Sequence, residues 1–228
     1  MKKRAIIILI IIGAFFLFVV FGLLGYKYFK EKPMRDFLRK QARENAPPTT
    51  YMKKKAAIII AFKDFRDEEY FKTHDILFKG ETEIKIVSTK KGTAIGADGG
   101  EVNIDFTLDE LRVEDFDAII FIGGPGALDC LDNEKSYSLA RKTIEKNKIL
   151  GAICISPTII AKAGVLRGKK ATVWASSLDR KPIKILEENG ADFVNEKVVQ
   201  DGNIITANGP VAAPAFAEKI LYNLKHEH

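Results

Sequence analysis

The chain has 228 residues, 46% hydrophobic and 29% charged, which suits one globular domain with extra segments. Its net charge of +6 comes mostly from Lys and Arg crowded into the first 55 residues. The remainder has no basic stripe interleaved with aromatics, so nucleic acid is excluded as a partner. Two cysteines, Cys130 and Cys154, exclude a disulfide scaffold and stand in no metal-ligand spacing, so neither metal nor cofactor is expected.

Residues 5–24 carry no charge or strong polar group. A helix of that length spans about 30 Å, the thickness of a bilayer core. Lys2, Lys3 and Arg4 precede it, but no small-x-small cleavage site follows. Tyr26 and Tyr28 suit the membrane interface. An uncleaved anchor over residues 1–26 is expected, against a cleaved signal or a buried core helix. Three basic residues before the span face seven after it (Lys27, Lys30, Lys32, Arg35, Arg39, Lys40, Arg43), which favours the following domain on the cytoplasmic side. Residues 27–52 read as a basic juxtamembrane linker. Within it, residues 34–46 form either a membrane-surface helix or a solvated stalk, and Pro47-Pro48 stiffens the exit.

From residue 53 the pattern changes. Residues 55–62 are an apolar β-branched run, a buried strand, and Phe65 to Tyr70 open a helix. Residues 83–88 are a strand, and the Gly-rich stretch 93–107 is a hairpin. Residues 117–122 form a second buried strand, ending in Gly123-Gly124-Pro125-Gly126. A helix over 133–147 starts at the N-cap Asn133. Residues 149–153 are a third buried strand, and Pro157 suits the first turn of the helix that follows. Thr172-Val173-Trp174 reads as a strand, 180–189 as a helix ended by Gly190, 193–199 and 204–207 as strands, and 211–224 as the last helix. Strands alternating with helices imply a mainly parallel sheet covered on both faces, with ligands at the carboxyl ends of the strands.

Cys154 sits on the sharp turn between the third buried strand and its helix. That is the geometry of a nucleophile elbow, and a helix N-terminus favours the thiolate. The alternative is a buried, inert cysteine. Cys130, six residues after Gly124, is either a resolving cysteine or an apolar filler.

The three strand ends in this order resemble the ThiJ/PfpI (DJ-one/PfpI) superfamily. The resemblance runs from about Lys53 to Leu224. It includes Leu108-Asp109-Glu110-Leu111, Glu114-Asp115-Phe116-Asp117, Ala163-Gly164-Val165-Leu166-Arg167-Gly168 and Asp201-Gly202-Asn203-Ile204-Ile205-Thr206. It implies a glutamine amidotransferase-like fold over 53–225: a three-layer, flavodoxin-like α/β sandwich preceded here by one transmembrane helix. It implies that Cys154 is the reactive cysteine, that Glu69 is the acid sharing a proton with it, and that the N–H groups of Gly124 and Ile155 are oxyanion donors. It also implies a homodimer. By residues alone, Glu69 is equally a first-turn carboxylate complementing the helix dipole, beside Asp67 and Glu68.

The chain departs from the family at three places. The peptidase-like branch has a histidine directly after the cysteine, where this chain has Ile155. The deglycase-like branch draws one from the next strand, where the nearest match is Trp174. The residue two after the cysteine is usually glycine and here is Ser156. His74 falls about 140° around the helix from Glu69 and so faces elsewhere, while His226 and His228 lie in the tail. Two functions are therefore expected. One is a membrane-anchored, glyoxalase- or deglycase-like enzyme acting on small reactive aldehydes. The other is a weakly catalytic or non-catalytic oxidative-stress sensor or chaperone that works through Cys154 oxidation. A cysteine peptidase is a third, weaker reading.

Overall fold

Four apolar runs become the centre of one sheet. The computed structural model describes residues 53–226, and Lys32 besides. Lys53–His228 forms one compact unit. Strands β1 (Lys55–Ile59), β7 (Ala118–Phe121), β8 (Ile149–Ile153) and β12 (Ile204–Ala207) lie side by side and, apart from Lys55, are fully buried. With β3 (Glu83–Ser88), β6 (Phe106–Thr107) and β11 (Val198–Asp201) they make a seven-stranded sheet of order β11-β12-β8-β7-β1-β3-β6. Pairing is parallel throughout except at the β11–β12 edge. A parallel strand buried on both faces needs a continuous apolar sequence, which explains why these runs do not alternate with polar residues.

Successive residues of each strand serve opposite faces. Ala57, Ile59, Ile119, Phe121, Leu150 and Ala152 pack with Leu139 and Ala140 of α3 (Glu134–Glu145), Ile159 and Ile160 of α4 (Pro157–Lys162), and Leu186 of α5 (Lys181–Glu188). Ala56, Ile58, Ile120 and Ile153 pack with Tyr70 and Leu77 of α1 (Asp67–Lys79) and Phe216, Ile220 and Leu224 of α6 (Ala213–His226). Gly151 lets α6 approach this second face: an added Cβ would lie 3.0 Å from both Phe216 Cζ and Ile220 Cδ1. The result is the expected three-layer α/β sandwich.

The helix ends follow local chemistry. Asn133 Oδ1 accepts hydrogen bonds from the N–H groups of Lys135 and Ser136 and so starts α3. Gly190, at φ +83°, follows α5. A short helix α2 (Ala127–Leu131) leaves the glycine turn and carries Cys130.

Several expectations need correction. The strand expected at 172–174 ends earlier, at β9 (Lys170–Ala171), which pairs with β10 (Asp192–Phe193) in a separate small sheet. Thr172 N–H instead donates to Thr206 Oγ1, and Trp174 N–H to the Cys154 carbonyl, so this segment braces the elbow rather than a strand. The strand expected over 193–199 is two strands, β10 and β11, separated by a turn in which Glu196 N–H donates to Val194 O. The hairpin β4 (Thr93–Gly96)–β5 (Glu101–Asn103) forms as expected. It gains a third strand, β2 (Lys63–Phe65), which the sequence conceals because Asp64, at φ +59°, breaks its register. Residues 106–107, counted in the hairpin, join the main sheet as β6.

Among the described residues no helix is long and apolar enough to cross a membrane. The expected anchor at 5–24, the linker at 27–52 and the helix or stalk at 34–46 lie outside the described residues, apart from Lys32, which is helical and exposed.

Candidate functional site

The carboxyl ends of β1, β7 and β8 converge on one point. β8 delivers Cys154 directly, and its backbone adopts φ +64°. That left-handed conformation costs a non-glycine residue roughly 1–2 kcal/mol and is kept only where its surroundings over-determine it. Here they do: Cys154 N–H donates to Ala207 O at 2.9 Å, and its carbonyl accepts from Trp174 N–H at 2.8 Å. The elbow expected from sequence is present. Ser156 supports it. Its fully buried hydroxyl donates to Ile122 O at 2.9 Å, tying the turn after β8 to the end of β7.

Asp67, Glu68 and Glu69 occupy the first turn of α1, and the fold gives each a different place. Glu68 is exposed. Asp67 accepts from the N–H groups of Asp98 and Gly100 at 2.8 and 2.6 Å, which holds the β4–β5 turn against α1. Glu69 is completely buried. Its Oε2 accepts from Gly123 N–H at 3.1 Å. Its carboxyl also interacts with the Cys154 thiol, yet no partner closes on Oε1 with full hydrogen-bond geometry. A buried carboxyl oxygen beside a thiol, not committed to another donor, is placed to exchange a proton with it.

The glycines between them are required by contact. A Cβ on Gly123 would lie 2.5 Å from Cys154 Cβ and 2.9 Å from Glu69 Oε2. Gly124 has φ +118°, and its Cβ would lie 2.3 Å from Arg66 N. The N–H groups of Gly124 and Ile155 both donate toward the Cys154 sulfur. The two backbone groups expected as oxyanion donors therefore converge on the atom beside which an oxyanion would form.

The electrostatics correct one expectation. The strand-to-helix turn was expected to favour the thiolate. Burial and the adjacent Glu69 carboxylate instead push the Cys154 thiol well above its ordinary range, and the Gly124 and Ile155 N–H groups offset only part of this. Burial likewise raises Glu69 to about 7, against the lowering influence of the Cys154 and Gly123 hydrogen bonds and the Arg66 charge. Two acids in contact do not both ionise readily, so their titrations are coupled.

Cys154 lines a pocket of about 260 Å³, with Glu69 buried behind it. Cys154 is 9% exposed into it. Pro125, Leu128, Ile155, Trp174 and Pro210 form an apolar wall, and Arg66 adds the single charge among the described residues. Sequence reasoning passed over Arg66, which precedes three acids and resembles an ordinary helix-start residue. Only the fold brings it into the lining of the pocket that Cys154 also lines. Trp174, 38% exposed, stands on the pocket wall as an apolar surface. Cys130 does not line the pocket. His74 stacks on Phe78 with ring centroids 6.0 Å apart and likewise does not line it. His226 ends α6, stacked on Tyr222. Among the described residues no group of His, Cys, Asp and Glu side chains could hold a metal ion.

Comparison with known proteins places this arrangement. A model of the DJ-1/PfpI family matches residues 54–223. A deglycase of Pyrococcus horikoshii is 32% identical over 168 residues, covering 74% of this chain and 98% of that protein. An uncharacterized protein of Methanocaldococcus jannaschii is 38% identical over 168 residues, covering 73% of this chain and 80% of the other. Among solved structures, the ThiJ/PfpI domain protein from Brachyspira murdochii superposes with a TM-score of 0.72 at 30% identity, over 77% of this chain and 99% of that one.

Proposed function

The chain belongs to the DJ-1/PfpI family, and on that premise we propose that it is a glyoxalase- or deglycase-like enzyme acting on small reactive carbonyl compounds. The observation that carries the proposal is the buried Glu69–Cys154 pair beneath a small apolar pocket, with two backbone N–H groups aimed at the sulfur. In this reading the Cys154 proton passes to Glu69 as sulfur attacks an aldehyde carbon. The Gly124 and Ile155 N–H groups hold the developing oxyanion, and Glu69 returns the proton to it. With a 2-oxoaldehyde, Glu69 then moves one proton from the hemithioacetal carbon to its neighbour. Water releases the resulting hydroxy acid from sulfur, with no external oxidant or reductant. No histidine is needed, because one acid of pKa about 7 serves as both base and acid near neutral pH. The relative from Pyrococcus horikoshii is named a deglycase, and one from Caenorhabditis elegans, 26% identical, a glutathione-independent glyoxalase.

The test is hydroxy-acid production from methylglyoxal by the full-length protein. Turnover that is lost in Cys154→Ser and falls at least tenfold in Glu69→Gln supports the proposal. Turnover that survives Cys154→Ser refutes it.

A second reading is favoured by the Glu69 value of about 7. A protonated Glu69, with the same two N–H groups, could stabilise the oxygens of a Cys154 sulfinate formed by peroxide. Intact-mass analysis after mild peroxide, showing two oxygens gained at Cys154 without turnover of carbonyls, would select it. A peptidase is disfavoured by the pocket of about 260 Å³ and by Ile155 and Trp174 at the positions where a histidine would serve. We further propose a single-pass anchor at 5–24 with the domain on the cytoplasmic side, and a homodimer. Alkaline extraction of membranes, protease protection and light scattering test these in turn.

A further inference from the structure

The pocket holds one charged side chain that the proposed reaction does not use. Arg66 lines it alongside an otherwise apolar wall. A guanidinium keeps its charge at any working pH. The charge of Arg66 reaches Glu69, since it is one of the groups that favour the Glu69 carboxylate. Its protein partners leave it underused. Nε is shut off from water and has no hydrogen-bond partner among the described residues, so a ligand in the pocket meets the terminal nitrogens of a side chain that is 34% exposed. Its one ion pair among the described residues, Nη1 to Asp98 Oδ2, is long at 3.6 Å and reaches a carboxylate that is 63% exposed, where such pairs contribute little. The Arg66 side chain takes no part in capping α1.

We infer that Arg66 is an anion receptor, and that the pocket selects small carbonyl compounds carrying a carboxylate beside the reacting carbon, of which glyoxylate is the smallest. A carboxylate can take two parallel N–H donors from a guanidinium, which fixes orientation as well as charge. The acid a bound carboxylate would have to displace is Asp98, held only at 3.6 Å. The inference rests on the reading that Cys154 adds to carbonyls. In that addition the carbon–sulfur bond forms and the carbonyl π pair moves to oxygen. Oxygen takes the proton that left sulfur through Glu69, while the carboxylate stays on Arg66. Nothing is oxidised or reduced.

The test uses two alkylating agents with the same leaving group and nearly the same size, iodoacetate and iodoacetamide. Their rates at Cys154 of the full-length protein are read by peptide mass analysis, and their ratio is taken relative to a free cysteine. The expected result is a ratio in favour of the anion that falls about tenfold in Arg66→Met, as loss of one charge-assisted contact implies. Part of it should return in Arg66→Lys. Glyoxylate should protect Cys154 from iodoacetamide at about tenfold lower concentration in the parent than in Arg66→Met. Thermal melts confirm that the variants are folded. An unchanged ratio, or equal slowing of both reagents, would overturn the inference, because Arg66 would then act only on the sulfur. Alkylation needs no turnover. Charge selectivity without carbonyl turnover would therefore leave Arg66 as an anion receptor and sink the enzyme reading alone. A Cys154 inert to both reagents would sink both.

Discussion

The Glu69 carboxyl and the Cys154 thiol meet from two different elements, the first turn of α1 and the turn after β8, with Gly123 between them. Gly123 N–H holds Glu69 Oε2 at 3.1 Å, and the absence of a side chain there lets Cys154 Cβ approach. Because the two acids titrate together, much of the site's behaviour should follow the pH dependence of the pair.

Stability should carry the mark of Glu69. Its ordinary value is 4.5 and its folded value about 7. Between these the unfolded chain gives up the proton while the folded chain keeps it, so the contribution of Glu69 to stability is full below pH 4.5 and is lost as pH rises to 7. A shift of that size corresponds to about 3 kcal/mol. Glu69→Gln has no such proton, so its stability relative to the parent should rise across this window in urea titrations. A constant difference between the two proteins from pH 4.5 to 7 would contradict the burial argument.

The reactivity of Cys154 should rise through the pair's first proton loss. Alkylation by iodoacetamide is expected to increase with an apparent pKa near 7 and then level off, because losing the second proton is far harder. In Glu69→Gln the inflection should disappear. A parent profile that climbs only above the normal thiol range, matching the variant, would show that the two groups are not coupled.

Gly123→Ala should damage the site more than the fold. Its Cβ would lie 2.5 Å from Cys154 Cβ, so the elbow must shift. A destabilisation of about 1–3 kcal/mol is expected from overpacking, together with a drop in Cys154 alkylation of about tenfold or more. Unaltered labelling would mean that the elbow has slack the contacts do not suggest.

Ser156→Ala removes the buried hydroxyl that bonds Ile122 O. An acceptor left without its donor costs about 1–3 kcal/mol. Denaturant unfolding is the measurement, and a change below about 0.5 kcal/mol would show the hydroxyl to be incidental.

The segment from Lys53 onward should fold without the first 52 residues, since helices cover both faces of its sheet. A soluble fragment with one cooperative melt is expected. A fragment that recovers only when residues 27–52 are restored would assign the linker to the fold.

The sequence by itself determined the sheet and the position of the elbow. Strands buried on both faces must be continuous apolar runs, so residues 55–62, 117–122, 149–153 and 204–207 read as strands and supplied β1, β7, β8 and β12. Pro157 after Cys154 marked where a strand turned into a helix. Short elements left no comparable trace. β2 and β9 are held by partners distant in sequence, and three or two residues carry no periodicity. Only the tertiary structure decided the chemistry of the site. Asp67, Glu68 and Glu69 are alike as residues, and it is the packing of α1 against the end of β7 that buries one, ties another to a loop and leaves the third in water. The direction of the Cys154 shift was misread for the same reason. A helix terminus is visible in sequence, whereas desolvation and the proximity of another acid arise only when segments 85 residues apart, at Glu69 and Cys154, meet in the fold.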